Sequence, residues 1–419
     1  MRVLILNQFY KPDLAATAYL CGSLAEGLAE SGAVVSVVTS RGGYVAESGE
    51  VERAADENPR VHRLWTPRLG KKNLLFRMTD YASFYFAALL RMIFLPRQDV
   101  VITLTTPPLI GLAALAHKCL HPSTKIVLWN MDCYPDVVET SDIINRGGFI
   151  STVWQWFTRL LFKFLTHVVT LDSAMTELLE ARYSPKKKKL PYTVIPNWEP
   201  LEMFPTPSYD PPPVSDEDPF TVLYLGNAGF GHRFETVLDA AERLGDDPLR
   251  FVFIGGGHLR KEIGDGAEER GLKNVELRGY VPKEETPAVM AAAGAALITL
   301  TDDSKGIMSP SKLHSNLAMG LPIIYVGPEG SNVDEAIRDY DCGVSVRHGD
   351  AQGMVDYLKR LRQDDDFHRQ TRENARRAFE QSYCDQVTLP QFDDVLRIVT
   401  GGAWSPEPTA ETAAEPVPT

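Results

Sequence analysis

TVLYLGNAGFGHRFETVLDAAERL, residues 221–244, carries an apolar strand into a turn with glycines at 226, 229 and 231, and that turn opens a helix. Apolar strands that feed helices through short turns build a parallel sheet covered by helices. The unit recurs downstream as strand LRFVFIGGG (249–257), helix LRKEIGDGAEERG (259–271), strand VELRG (275–279), a helix near 284–293, strand AALITL (295–300), a helix opened by Lys312 and strand PIIYV (322–326). It also recurs upstream: strand RVLILN (2–7), amphipathic helix ATAYLCGSLAEGLAESG (16–32) stopped by Gly32, strand VVSVVTS (34–40), then DVVITL (99–104), LIGLAALAHKCL (109–120), KIVLWN (125–130) and HVVTL (167–171). Between the two runs lies EPLEMFPTPSYDPPPVSDEDP (199–219), a Pro- and acid-rich stretch without helical or strand periodicity. The pattern predicts two successive doubly wound α/β domains, 1–198 and 220–380, joined by a linker over 199–219. A helix over 381–400 is placed to return to the first domain, and 401–419, which ends in SPEPTAETAAEPVPT, reads as a disordered tail.

A chain of 419 residues with 44% hydrophobic side chains has material for two ordinary cores. Its net charge of −12 excludes an electrostatic footprint for nucleic acid. Asp210, Asp216, Glu217, Asp218, Glu407, Glu411 and Glu415, seven acids of the linker and tail, account for much of it, leaving the rest near −5 by rough count and implying no particular partner. Five scattered cysteines form no metal spacing and no dense framework, which favours a reducing cytoplasm and no metal. The opening MRVLILNQFYKP has too short an apolar run for a secretion signal.

In open α/β sheets, ligands sit outside the carboxyl ends of the strands, so a crevice between two such domains is the expected site. The loop NQFYKPDLAATA (7–18) lacks the Gly-x-Gly-x-x-Gly pattern of dinucleotide binders, which disfavours NAD. The turn GNAGFGHR (226–233) offers helix N-terminal amides to a phosphate, or is simply a flexible connection. SPSKLHSNLAMGLPII (309–324) places Pro310 at a first helical position with Ser309 as N-cap, and Ser311 and Lys312 in the first turn. A cation there opposes the helix dipole unless an anion is near; otherwise Lys312 is an ordinary solvated side chain.

Taken in order and spacing, NQFYKPDLAATAYLCGSLAEGLAESG, WNMDCYPDVV (129–138), YLGNAGFGHRFETVLDAA (224–241) and SPSKLHSNLAMGLPIIYV resemble family 4 glycosyltransferases of GT-B architecture, in the branch serving bacterial surface polysaccharides. The resemblance spans about residues 1 to 398. It implies two Rossmann-like domains facing across a crevice, and sugar transfer from a nucleoside-diphosphate donor to an acceptor hydroxyl, with retention and without metal or other cofactor. By that resemblance the second domain holds the nucleotide through Gly226, Asn227, Gly229, His232, Arg233, Ser309 and Ser311. Lys312 would neutralise the departing diphosphate. Glu335, eight residues before Gly343, stands where the family places a ribose-binding glutamate, or is a solvated helix-start carboxylate. RGYV (278–281) resembles the loop that meets the nucleobase. The sequence departs at three positions: Ile307 and Ser315 replace a pair of glutamates common in relatives, and Met131 stands where many have the His of His-Asp. Asp132 is then the candidate to orient the acceptor hydroxyl or take its proton, with Asp136 read as either a second candidate or a turn residue beside Pro135.

FISTVWQWFTRLLFKFLTHVV (149–169) is apolar and aromatic, with Arg159, Lys163 and His167 recurring every four residues as one basic stripe, and RYSPKKKKLP (182–191) adds five positive charges. The stripe suits a helix lying in a lipid headgroup layer, and also a helix that buries one face on the sheet. LLFRMTDYASFYFAALLRMIFLP (74–96) is similarly apolar, but Arg77, Asp80 and Arg91 argue against a spanning helix. The expected partners are a nucleotide-sugar donor and a lipid-linked or saccharide acceptor, with the protein peripheral on the inner membrane face. Two other readings stay open: a GT-B epimerase or hydrolase of UDP-sugars, and a non-catalytic sugar-nucleotide-binding protein.

Overall fold

The computed structural model describes residues 1–13, 15–41, 57–67, 74–186, 189–210 and 219–406. Thirteen short strands, apolar enough to be covered on both faces, arrange themselves in two parallel sheets among the described residues. The first domain runs β1 (Arg2–Leu6), α1 (Ala16–Glu30), β2 (Val34–Ser40), β3 (Arg60–Leu64), α2 (Leu74–Phe94), β4 (Val100–Thr103), α3 (Gly111–Leu120), β5 (Lys125–Trp129), α4 (Asp136–Thr140), α5 (Phe149–Phe164), β6 (His167–Thr170), α6 (Ser173–Tyr183) and β7 (Tyr192–Val194). Its sheet order is β3-β2-β1-β4-β5-β6-β7. Val3, Leu4, Ile5 and Leu6 are fully buried at the centre, with Val3 in register with Val35 on one side and Val100 on the other.

The second domain runs β8 (Phe220–Leu225), α7 (Glu235–Leu244), β9 (Leu249–Ile254), α8 (Arg260–Glu269), β10 (Val275–Arg278), α9 (Thr286–Ala291), β11 (Ala295–Thr299), α10 (Lys312–Ala318), β12 (Ile323–Val326), α11 (Asn332–Tyr340), β13 (Gly343–Val346), α12 (Ala351–Gln363) and α13 (Asp365–Ala378). Its order is β10-β9-β8-β11-β12-β13. Strand order reverses between β1 and β4 and again between β8 and β11, and those two points are where a doubly wound sheet leaves a crevice.

Strands β3, β7 and β13 have no counterpart in the sequence reading. They are edge or near-edge strands of three to five residues, too short to show a periodicity of their own. Within the proline-rich stretch, residues 199–210 lie against the second domain: Arg376 donates to the Phe204 carbonyl at 2.8 Å, and Arg372 donates to that of Ser208 at 3.3 Å. After α13 the chain continues through α14 (Asp385–Thr388) to α15 (Pro390–Val399), whose Phe392, Val395, Leu396 and Val399 are part of the first domain's core. The tail expected from 401 onward needs correction at its start. Trp404 is 5% exposed in that same core, and its indole N–H donates to Asp393 at 2.8 Å. An indole that finds both an apolar bed and a carboxylate is ordered by them. Residues 407–419 lie outside the described part.

The basic stripe also needs correction. α5 ends at Phe164, so His167 belongs to β6, is buried, and shares a 2.8 Å hydrogen bond with the Thr193 hydroxyl. Burial pushes its pKa down to about 4, so it adds no positive charge at neutral pH. Arg159 and Lys163 remain exposed on α5.

Candidate active site

The glycine turn after β8 and the start of α10 converge at the β8/β11 switch point. Gly226 has φ of +122°, and a methyl group added there would lie 3.0 Å from Cε of Lys312, so the lysine passes over bare backbone. Its ammonium stands 4.8 Å from the centre of the Tyr224 ring and 3.5 Å from Nε2 of His232. His232 donates from Nδ1 to the Thr299 carbonyl at 2.8 Å, which leaves Nε2 as a lone pair turned toward the lysine. Burial and the neighbouring Lys312 hold His232 neutral, with its pKa lowered to about 4. Loss of water lowers Lys312 itself to about 8. A cation kept in so dry a place, against a helix start, calls for an anionic ligand.

Around it, Asn227 is fixed by two phenols: Tyr224 donates to its carbonyl at 2.9 Å and Tyr280 to its side-chain oxygen at 2.5 Å. Tyr280 belongs to the RGYV turn and is 72% exposed, so that turn borders the same opening. No heavy atom approaches within 4 Å of the place a Gly229 side chain would occupy, which leaves its backbone accessible. Arg233, by contrast, is exposed and paired with Glu235 at 2.5 Å.

The helix start differs from the sequence expectation. α10 begins at Lys312, with Ser311 as capping residue in a helical conformation and no side-chain cap bond, so Pro310 is not the first helical residue and Ser309 is not the N-cap. The Ser309 side chain instead stands close enough to Asp172, the residue before α6 of the first domain, to hold that carboxyl's pKa down against the effect of its burial. Asp172 also caps α6, accepting from the Met175 amide at 2.7 Å. Glu335 likewise turns to the first domain, accepting from the Ser173 hydroxyl. The Ser173 contact puts Glu335 in the seam between the domains. Asp172 and Ser173 escaped the sequence reading, although an Asp-Ser pair straight after the strand HVVTL is a capping signature.

On the first-domain side, Asp132 follows β5. It keeps part of its surface, makes no side-chain hydrogen bond among the described residues, and is enclosed enough that desolvation raises its carboxyl to about 6. Asp136 is committed elsewhere: it is buried, paired with Arg182, and accepts from the Tyr183 hydroxyl at 2.8 Å. Met131 packs in the core at 5% exposure. Ile307, 3% exposed, belongs to the first domain's core, although its chain segment belongs to the second domain. Ser315 bonds back to the Lys312 carbonyl at 3.4 Å.

Residues 206–378 match the family described as glycosyl transferases group 1, and residues 17–198 match the glycosyl transferase 4-like domain. "Probable glycosyltransferase WbjE" of Pseudomonas aeruginosa is 23% identical over 338 residues, covering 79% of this chain and 82% of the relative. A protein of Escherichia coli K12 named for glycosyl transfer in colanic acid biosynthesis, WcaI, is 25% identical over 348 residues, covering 76% and 82%. Among solved structures, Anabaena HepE in complex with UDP and glucose superposes with a TM-score of 0.65 at 13% identity, over 94% of this chain and 99% of that one.

Proposed function

The chain belongs to the family 4 glycosyltransferases of GT-B architecture, and we propose that it moves a sugar from a nucleoside-diphosphate donor to a hydroxyl of a lipid-linked or saccharide acceptor, with retention and without a metal. The observation that carries the donor reading is the Lys312 ammonium, half-buried at a helix start against Gly226, Tyr224 and His232. A diphosphate gains charge as it leaves, and a fixed cation in a dry cleft stabilises that charge more than the ground state. Neutral His232 receives the lysine on one nitrogen and is anchored by the other, so it orients the ammonium without competing for the anion. Lys312 thereby supplies the counter-charge that a metal supplies in other transferases. Asp132 would meet the acceptor: its carboxylate has no hydrogen-bond partner among the described residues, and a raised pKa suits it to hold or take a hydroxyl proton near neutrality. Retention is inferred from the family alone.

The acceptor reading draws on the surface beside Asp132. Tyr134, two residues on, stacks on Trp154 of α5 at 5.8 Å. From there α5 and α2 expose Phe149 at 84%, Ile150 at 62%, Trp156 at 57%, Phe86 at 63% and Phe94 at 77%. With Arg159, Lys163, Lys186 and Lys189 exposed nearby in sequence, this face suits an anionic membrane surface and a lipid-borne acceptor. No helix among the described residues is long and apolar enough to cross a membrane. Colanic acid biosynthesis in the name of one relative supports polysaccharide assembly as the setting.

The test is to incubate the protein and a membrane lipid extract with a panel of nucleotide sugars, with and without EDTA, and to identify products by mass spectrometry and anomeric configuration by NMR. The reading requires nucleoside diphosphate release that depends on the extract and persists in EDTA. Release without acceptor, yielding free or epimerised sugar, would support the epimerase or hydrolase reading. Nucleotide binding without turnover would support a non-catalytic one.

A further inference from the structure

The segment between β11 and α10 crosses the cleft. Gly306 has φ of +71°, and a methyl group there would stand 2.6 Å from the Ala174 carbonyl oxygen of the first domain. The Gly306 carbonyl accepts from the Cys133 thiol at 3.3 Å, and the Ile307 carbonyl accepts from the Cys133 amide at 3.0 Å. The Ile307 side chain lies in the first domain's core, whereas its neighbour Met308 lies under the second domain's glycine turn, 2.7 Å from where a Gly231 side chain would begin. Consecutive residues are therefore fastened to opposite domains. Cys133 adjoins Asp132, and Ile307 precedes Lys312 by five residues, so one interdomain hydrogen bond separates the two proposed catalytic groups by a very short path.

We propose that Ile307 is a positioning residue: its insertion into the first domain is coupled to the Cys133–Ile307 hydrogen bond and sets Asp132 in register with Lys312. The inference rests on the transferase reading of the same cleft. With the domains apart, Ile307 would face water on a loop tip, so its burial favours the closed arrangement in which acceptor and donor groups meet. Truncating it weakens closure and leaves the donor's own contacts, all on the second domain, in place. The effect falls on kcat rather than on donor KM.

Two measurements on the full-length protein test this. Hydrogen exchange of the peptide containing Cys133 should be about tenfold faster in Ile307→Ala than in the wild type, with both sheet cores unchanged. In steady-state assays the same variant should lose about tenfold in kcat with donor KM within about twofold, and Ile307→Val should restore both readouts. Gly306→Ala, which sets a methyl group against the Ala174 carbonyl, should act in the same direction. Unchanged exchange at Cys133 would overturn the proposal. So would a raised donor KM at constant kcat, which would make Ile307 a donor-binding residue, or faster exchange throughout both sheets, which would make it plain core. If the wild type transfers no sugar from any donor, the transferase reading fails, while the exchange measurement still decides whether the latch exists.

Discussion

Asp132 and Lys312 each bear a burial cost that opposes the charged form, and the two costs bracket neutrality. The carboxyl is pushed up to about 6 and the ammonium down to about 8. Transfer by the proposed route needs Asp132 ionised and Lys312 protonated, so kcat/KM should rise through about pH 6, fall through about pH 8, and peak between. A pH profile measured at saturating acceptor checks this, and Asp132→Asn should remove the acid limb along with most of the rate. Lys312→Ala should cost on the order of 10²–10³ in kcat, the usual loss for one electrostatic donor. Stability should move the other way. A carboxyl whose folded pKa is raised is penalised wherever it is ionised, a penalty that grows from the unfolded value of 3.8 to about 6 and is complete above that. At pH 8, Asp132→Asn should therefore gain roughly 2–3 kcal/mol, visible as a Tm several degrees higher. A lower Tm would mean that the carboxylate has a stabilising partner.

At the scale of elements, residue type announced position better than contact did. The glycine turn and the lysine at the head of α10 were legible because clustered glycines mark backbone that other residues would strain, and a cation in a first helical turn is locally unfavourable. The tertiary engagements were not: Ser309 looked like a cap because Pro310 followed it, yet α10 begins only at Lys312 with Ser311 before it. His167 continued a four-residue spacing, but the helix had already stopped at Phe164. Ile307 was visible only as a missing glutamate, since nothing in one sequence says that an apolar residue on a loop will enter the other domain's core. The exposed face of α5 was legible in composition, and it invites a direct test. Phe149→Ser combined with Trp156→Ser removes side chains that are 84% and 57% exposed, so folding should be unaffected. Binding to vesicles containing anionic lipid should fall at least about tenfold in a flotation assay. Equal binding by both proteins would assign this face to something other than lipid.

For the whole molecule, the restart of the strand–helix alternation after the proline-rich stretch was enough to reveal two doubly wound domains. What it could not reveal is that the first domain is completed by the far end of the chain. Trp129 and Trp198 stack at 5.5 Å, and Phe392 of α15 meets both edge-on at 4.9 and 6.0 Å. Trp404 lies in the same domain core, while Asp393 accepts from the Ser31 hydroxyl at 3.1 Å. A periodic apolar pattern says that α15 buries a face, and says nothing of which domain receives it. The chain therefore passes between domains twice, once after Trp198 and again near Cys384, where a bridge to Glu199 brings the two crossings side by side. Hinge motion is then guided by two parallel segments rather than one. A first domain cut at 198 should lack part of its core: residues 1–198 alone should be poorly soluble, and co-expression with a 384–406 peptide should recover a folded complex. In the intact chain, Phe392→Ala should cost about 3–5 kcal/mol and shift tryptophan emission to longer wavelength as water reaches Trp129 and Trp198. If residues 1–198 fold stably alone, with the emission of the full chain, α15 is an accessory strap and the two crossings do not act together.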